Sequence, residues 1–471
     1  MSFKIPRVII AGLKGGSGKT IASLGIVRSL AARGDKVVPF KKGPDYIDAE
    51  WLSKAAKHPC FNLDPFLMDR ETILASFVSR AQKGDIAIIE GNRGLFDGMD
   101  QEGSSSTAEL AKLLKAPVIL VVDCTKATRT IAALVLGCKA FDPELSIQGV
   151  ILNRIGTQRH VKIVQSAIEK YTNIPVIGAI KRQKKDPLPM RHLGVTPTDE
   201  HPSVINTLDS LKDLINTSID LDYVKKIAAS APSLPDKPLK GLIKLNKPKK
   251  CSSISPLIGI FRDAAFQFYY PENLEMLEKL GAKLVFINSL TQPHLPQVDA
   301  LYIGGGFPET QAEKLANNHL LRQAVKAAIE AGLPVYAECG GLMYLGQHII
   351  WNGKKYPMVG AINWDFMVGK KPVGHGYTIL EVTKPNPFYA QGTILRGHEF
   401  HYSKPVPANP SLPTSFACKV QRGAGFIQNK EGIIYKNLFA TYTHIHVLSS
   451  IQWAQSLVDA ACSFQEKNHM L

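Results

Sequence analysis

Short apolar runs alternate with helix-length segments along this chain, and the pattern occurs twice. In the first half the runs are residues 7–11, 36–40, 86–89, 117–122, 149–152 and 175–180; in the second they are 257–261, 283–287, 300–303 and 334–337. A run of this length without polar alternation reads as a strand buried on both faces. Such strands, separated by helices, build a parallel sheet wrapped by helices. The pattern predicts an α/β chain of two doubly wound domains. Between them the composition turns to Lys, Pro and Ser, as in a solvated connection. The expected domains are 1–226 and 255–471, with 227–254 as linker. A length of 471 residues also exceeds what one hydrophobic core usually serves. After Trp351 the helical signal fades, and β-like segments lead to a final helix at about 447–466.

Composition narrows the classes. Hydrophobic residues at 45% and charged residues at 20% belong to a globular chain with real cores. No apolar run approaches the ~20 residues that span a bilayer, and the first residues lack the apolar stretch of a signal peptide. The seven cysteines are scattered singly and read as reduced thiols of a cytoplasmic protein. The net charge of +16 gathers at 181–185 and 237–250. Neither stretch interleaves aromatic residues or carries a nucleic-acid motif. The charge fits an acidic small-molecule substrate; neither nucleic acid nor a membrane is an expected partner. Oligomeric state is open, and a homodimer is compatible with the sequence.

The first apolar run ends in Gly12 and leads through Leu13-Lys14-Gly15-Gly16-Ser17-Gly18 to Lys19-Thr20. Glycines let backbone N–H groups converge on phosphate oxygens, and the following helix adds its N-terminal dipole. Lys19 is expected to neutralise phosphate charge and Thr20 to reach Mg²⁺. The first glycine stands one place earlier than the strict phosphate-loop pattern requires, so the loop is a variant. Glu90 closes the run 86–89, where a metal-organising acid belongs. Asp45 and Asp48 follow the second run, and Asp97 lies in Gly94-Leu95-Phe96-Asp97-Gly98. In a doubly wound fold, the C-terminal ends of the strands share one crevice, so these acids can meet at the phosphates. Singly, each is also a common turn residue.

In the second half, Pro334-Val335-Tyr336-Ala337-Glu338-Cys339-Gly340-Gly341-Leu342 reads as a strand that turns sharply into a helix at Cys339. A thiol at such an elbow is presented for attack, and a helix N-terminus lowers its pKa. The Gly340 N–H faces a developing oxyanion. Gly305, in Gly304-Gly305-Gly306-Phe307-Pro308-Glu309, is the candidate second donor. A cysteine nucleophile needs a base. His444 is the best placed of the thirteen histidines; His446 is expected on the same face of that β-like segment. His398-Glu399-Phe400-His401 is not read as a zinc motif, since its histidines are three apart and its neighbours strand-like.

Together these residues resemble the cobyrinic acid a,c-diamide synthase family over nearly the whole chain. The resemblance is carried by Phe40-Lys41-Lys42-Gly43-Pro44-Asp45-Tyr46-Ile47-Asp48, Asn62-Leu63-Asp64, Glu90-Gly91, the 94–98 loop and Arg191-His192-Leu193-Gly194. In the second half it is carried by Phe266, Tyr269-Tyr270-Pro271, Asn273-Leu274, the 304–309 run, the Cys339 turn and residues 397–403. The resemblance implies a dethiobiotin-synthetase-like P-loop domain fused to a class I-like glutamine amidotransferase domain. It implies ATP and Mg²⁺ as cofactors, L-glutamine as nitrogen donor and a corrinoid polycarboxylate amidated at its a and c acetates. By position, Cys339 is the nucleophile, His444 the base, Asn153 a neighbour of adenine, and Asp45, Asp48, Glu90 and Asp97 surround metal, nucleotide and reacting carboxylate. Thr20, Asp45 and Glu90 are the metal candidates. Where class I glutaminases carry Glu two residues after the base this chain has His446, so a Cys–His dyad is expected. Two alternatives stay open: the same chemistry on hydrogenobyrinic acid or nickel sirohydrochlorin, and a partitioning-type ATPase switch, which Lys14 resembles.

Overall fold

Seven parallel strands form the sheet of the first half: β1 (Arg7–Gly12), β2 (Val37–Lys42), β3 (Phe61–Leu63), β4 (Ile86–Glu90), β5 (Val118–Asp123), β6 (Ile147–Ile155) and β7 (Val176–Lys181). Their order is β3-β2-β4-β1-β5-β6-β7, and every pairing is parallel. The structure, a computed structural model, describes residues 2–183, 188, 190–191, 194–235 and 255–469. Most of the two basic stretches, Cys251, and His192 and Leu193 of the family-like motifs lie outside the described residues. The chain divides into two compact units, Met1–Lys244 and Leu245–Leu471.

In the first unit β1, β2 and β4 are buried along their whole length, as apolar runs with no polar alternation require. The chain winds outward from β1 to β2 and β3, returns to β4 beside β1, then crosses to β5 on the other side. Strand order therefore reverses at β1, and the crevice at its C-terminal end is where such sheets bind ligands. The loop after β1 leads into α1 (Lys19–Ala32). Asp45 and Asp48 precede and open α2 (Ile47–Ala56).

The expected boundary at 226 falls inside a helix, Leu221–Ser230, whose Leu221, Val224, Ile227 and Ala228 are buried. That apolar spacing is a helix face, obscured in sequence by the neighbouring Lys and Ser. Leu234–Pro235 then pairs with Ser2–Phe3. Residues 227–235 thus belong to the first unit's fold.

The second unit is built on nine strands: β8 (Leu257–Phe261), β9 (Lys283–Ile287), β10 (Ala300–Ile303), β11 (Val335–Glu338), β12 (Gly374–Val382), β13 (Ile394–His401), β14 (Ser415–Arg422), β15 (Lys430–Tyr435) and β16 (Leu438–Thr441). Their order is β9-β8-β10-β11-β16-β15-β14-β12-β13. From β9 to β16 the pairing is parallel; beyond β16 it is antiparallel. A separate four-stranded sheet includes Trp364–Val368 and Ser403–Pro407. The final helix is Ile451–His469, starting later than expected. Among the described residues no helix is long and apolar enough to cross a membrane. Cys60, Cys124, Cys138, Cys339 and Cys418 are not disulfide-bonded. Cys462 is disulfide-bonded, so the expectation that all seven are reduced does not hold for it.

Candidate active sites

In the first unit the phosphate loop rests on the neighbouring strands. Gly18 has φ +95°, a region open chiefly to glycine, and a Cβ there would overlap the Asn153 side chain. Asn153 Nδ2 donates to the Ser17 carbonyl at 2.9 Å. Asn153 therefore clamps the loop's backbone from β6, a role that the expectation of an adenine neighbour did not include. Gly15 and Gly16 face open space, leaving room for phosphates. Leu95 N donates to Gly12 O at 2.8 Å, which lays the 94–98 loop against the phosphate loop. Asp97 Oδ2 accepts from Gly94 N at 2.8 Å and closes that turn.

The acids meet as the strand order requires. Lys19 is buried. Burial lowers its pKa, the Lys41 charge adds to this, and Glu90, Asp48 and Asp97 oppose it. Thr20 Oγ1 donates to Glu90 Oε1 at 2.8 Å. Asp45 Oδ1 accepts from Asp48 N at 2.7 Å, capping the start of α2. Burial, then the Asp48 charge, pushes the Asp45 carboxyl up to about 7. Burial likewise raises Glu90, against the pull of Lys41.

At the centre is a residue not singled out as a site residue from sequence. Lys41 Nζ lies 2.6 Å from Asp48 Oδ2 and 3.1 Å from Glu90 Oε1. Burial would lower its pKa, but Asp48 and Glu90 hold it above the ordinary value. The signal was present: a lysine extending a strand buried on both faces needs anionic partners. The magnesium candidates are tested by one further atom. Glu90 Oε2 is buried and has no hydrogen-bond partner among the described residues, while Oε1 meets Thr20. This unmet acceptor beside the phosphate loop fits a hard cation. Among the described residues no group of three or more His, Cys, Asp or Glu could hold a metal ion by itself. The set therefore suits an ion that keeps phosphate oxygens and water as its other ligands.

In the second unit Cys339 follows β11 at φ +46°, ψ −96°. Such a backbone stores about 1–3 kcal/mol of strain. The surroundings hold it: Cys339 N donates to Thr441 O at 2.7 Å, and Met343 N to Cys339 O at 3.0 Å. The helix after it, Gly340–Leu345, has only six residues. Here an expectation is corrected. Burial pushes the thiol pKa up, the Glu309 charge adds to this, and the Gly340 N–H opposes it. A short helix's dipole does not outweigh desolvation, so the resting sulfur is a neutral thiol.

β11 and β16 are parallel neighbours with Glu338 opposite Thr441. Cys339 and His444 thus leave the sheet at the same end. The His444 backbone exchanges hydrogen bonds with His398 of β13, and the two rings stack at 4.9 Å. Burial, then the neighbouring histidines His444 and His446, holds His398 well below the usual imidazole pKa. Phe400, two residues along β13, places its carbonyl 3.9 Å from Cys339 Sγ. His398 and His401 lie on a strand, as expected. His446 does not share a strand face with His444, because the chain leaves regular structure after Thr441. It turns to Glu272 (Nε2–Oε2 3.7 Å) and the Tyr270 ring.

A carboxylate stands beside the expected base. Glu338 is wholly buried, and its Oε2 lies 3.5 Å from His444 Nδ1. In sequence this acid precedes Cys339 instead of following His444. Gly305 sits under the same imidazole: a Cβ there would overlap His444 Cε1. Gly305→Ala is therefore expected to displace the ring and cut glutamine hydrolysis by about 10²-fold, the usual effect of a misplacement near 1 Å. Steady-state glutamate release measures it, and an unchanged kcat would show that the ring's seat does not matter.

Residues 8–195 match the family model described as CobQ/CobB/MinD/ParA nucleotide binding domain, and residues 257–451 match the CobB/CobQ-like glutamine amidotransferase domain. A protein of Magnetococcus marinus named cobyrinate a,c-diamide synthase is 43% identical, over 97% of this chain and 97% of its own. The chain belongs to the cobyrinate a,c-diamide synthase family. Relatives of the same name from Archaeoglobus fulgidus (97% of this chain, 98% of the relative) and Dehalococcoides mccartyi (98% and 99%) are each 40% identical. Like other cobyrinate a,c-diamide synthases, the chain is a glutamine-dependent amide-forming ligase, with its nucleotide-binding domain first and its amidotransferase domain second.

Proposed function

We propose that this enzyme converts the a and c acetate carboxylates of cobyrinic acid into amides, using ATP, Mg²⁺ and glutamine. The observation that carries this reading is the 40–43% identity across nearly the full length of relatives bearing that name.

In the glutaminase half, Cys339 Sγ attacks the glutamine side-chain amide while its proton passes to His444. The N–H groups of Gly305 and Gly340 receive the oxyanion. The C–N bond breaks, ammonia leaves with the returned proton, and water cleaves the thioester to glutamate. In the ligase half, a substrate carboxylate takes the terminal phosphoryl group of ATP. The backbone from Gly12 through Gly15, Gly16, Ser17 and Gly18 and the side chain of Lys19 hold the phosphates. Thr20, Glu90 and Asp45 would hold Mg²⁺, which when bound neutralises phosphate charge. Asp48 and Asp97 stand by the reacting carboxylate, and ammonia displaces phosphate from the acyl phosphate. Ammonia must reach that intermediate unprotonated, because ammonium has no lone pair with which to attack.

Mass spectrometry of the macrocycle after incubation with the full chain, ATP, Mg²⁺ and glutamine tests the reading. Cobyrinic acid is expected to emerge as a diamide. Hydrogenobyrinic acid and nickel sirohydrochlorin are expected to remain unamidated. A diamide formed only on one of these other macrocycles would refute the substrate while keeping the chemistry.

A further inference from the structure

We infer that Glu338 is the positioning residue for His444, completing a Cys–His–Glu relay in which nucleophile and carboxylate are consecutive residues of one strand end. The inference rests on the proposed roles of Cys339 and His444 and adds to them a residue that neither role requires.

Three contacts fix this carboxylate. Tyr302 OH donates to Oε2 at 3.2 Å, and Ile445 N donates to Oε1 at 3.1 Å. Asn273 Nδ2 donates to Tyr302 OH at 3.4 Å and to Ile445 O at 2.8 Å, so one amide ties together both groups that hold the acid. The third contact is His444 Nδ1, 3.5 Å from Oε2. Glu338, Asn273, Tyr302 and His444 are all essentially shielded from solvent. A buried carboxylate demands donors, and here two neutral ones are supplied by the backbone and a phenol. The imidazole is the third neighbour and the one able to carry a compensating positive charge.

The geometry is that of an orienting acid. Successive residues of a strand point to opposite faces. Cys339 departs from that rule through its positive φ, so its side chain is not held to the face opposite Glu338. In the inferred relay Nδ1–H turns to Glu338, 3.5 Å away, and His444 presents Nε2 as the acceptor. When Sγ bonds to the amide carbon, its proton goes to Nε2, and the imidazolium is stabilised by the Glu338 charge. The proton then leaves with ammonia as the C–N bond breaks. The neighbouring ring, His398, is held well below the usual imidazole pKa by burial and stacks on His444, so it does not compete as a cation. Because the sulfur is a neutral thiol at rest, the strength of His444 as a base decides how readily it is activated.

The test uses the full chain and the pH dependence of glutamine hydrolysis. Glu338→Gln keeps the shape and removes the charge. It is expected to lower kcat by about 30- to 100-fold with KM for glutamine changed less than about threefold, and to move the acid limb of kcat/KM to lower pH. Tyr302→Phe removes one donor from the same oxygen and leaves the carboxylate a stronger partner, so its acid limb is expected to move to higher pH. These opposite shifts are a signature that a merely structural role does not produce, and the second variant remains informative if the first folds poorly. Adding Glu338→Gln to His444→Ala is expected to cost no further activity, since both act through one ring. An unmoved acid limb in Tyr302→Phe, shifts of the same sign, or multiplying losses in the double variant would each overturn the inference. Full activity of His444→Ala alone would instead refute the base itself.

Discussion

Cys339→Ser is expected to abolish amidation driven by glutamine, by about 10³-fold or more as for other lost nucleophiles, while amidation driven by added ammonia continues. The argument starts from the state of the thiol. Burial pushes the thiol pKa up, so the proposed mechanism relies on proton transfer to His444 during attack. A serine hydroxyl is harder still to deprotonate and sits on the same strained turn. It therefore keeps the fold and loses the nucleophile. The proposed ligase chemistry uses residues of the first unit, so ammonia supplied from solution is expected still to meet the acyl phosphate. Parallel assays with glutamine and with ammonium salt at alkaline pH separate these outcomes. Equal loss with both donors would place Cys339 in the fold's support instead of in the chemistry, and equal activity with both would remove it from the mechanism.

The parts of this enzyme that were legible in sequence are those where one residue type has one physical use. Buried apolar runs located the parallel strands of both sheets, because a strand covered on two faces has no other composition. The glycines around Lys19 and the turn at Cys339 announced themselves because few residues tolerate those backbones. Two kinds of feature stayed hidden. The first is pairing across long distances in sequence: Lys41 to Glu90, and Glu338 to His444. That Lys41 needs an anionic partner can be read from its buried strand, but which acid supplies it appears only when the strand order puts β4 beside β2. Glu338 reads as the neighbour of a catalytic residue until the β11–β16 register brings His444 to it. The second is the balance of opposing effects on one atom. The helix N-terminus after Cys339 argues for an acidic thiol, and only the extent of burial shows that the opposite effect wins. The missed domain boundary has a simpler cause, since the apolar stripe of Leu221, Val224, Ile227 and Ala228 runs into the polar linker without a break in composition.

Lys41→Met is expected to destabilise the first unit by about 3–5 kcal/mol at neutral pH, the usual cost of leaving buried charge uncompensated, and to abolish amidation with either nitrogen donor. Lys41 Nζ is the shared cation of Asp48 and Glu90, and the methionine that replaces it matches its length but not its charge. Glu90 is already pushed up by burial, with the Lys41 charge as the first opposing influence. Without that cation the carboxyls rise further. The sign then follows from linkage. A carboxyl whose folded pKa is raised contributes stability that is fully present below its unfolded pKa, about 4.3 for Glu, and lost as pH rises through the folded pKa. The gap between wild type and variant should therefore be small near pH 5 and widen towards pH 8, as followed by thermal unfolding at each pH. Glutamine hydrolysis, assigned in the proposed mechanism to Cys339 and His444, should persist wherever the chain stays folded, so loss of amidation in the folded variant reports on the phosphate site. A gap that stayed constant with pH would mean that Lys41 contributes packing alone. Unchanged amidation would mean that the positions of Asp48 and Glu90 do not depend on their shared lysine, and that the buried ion pair plays no part in the ligase chemistry.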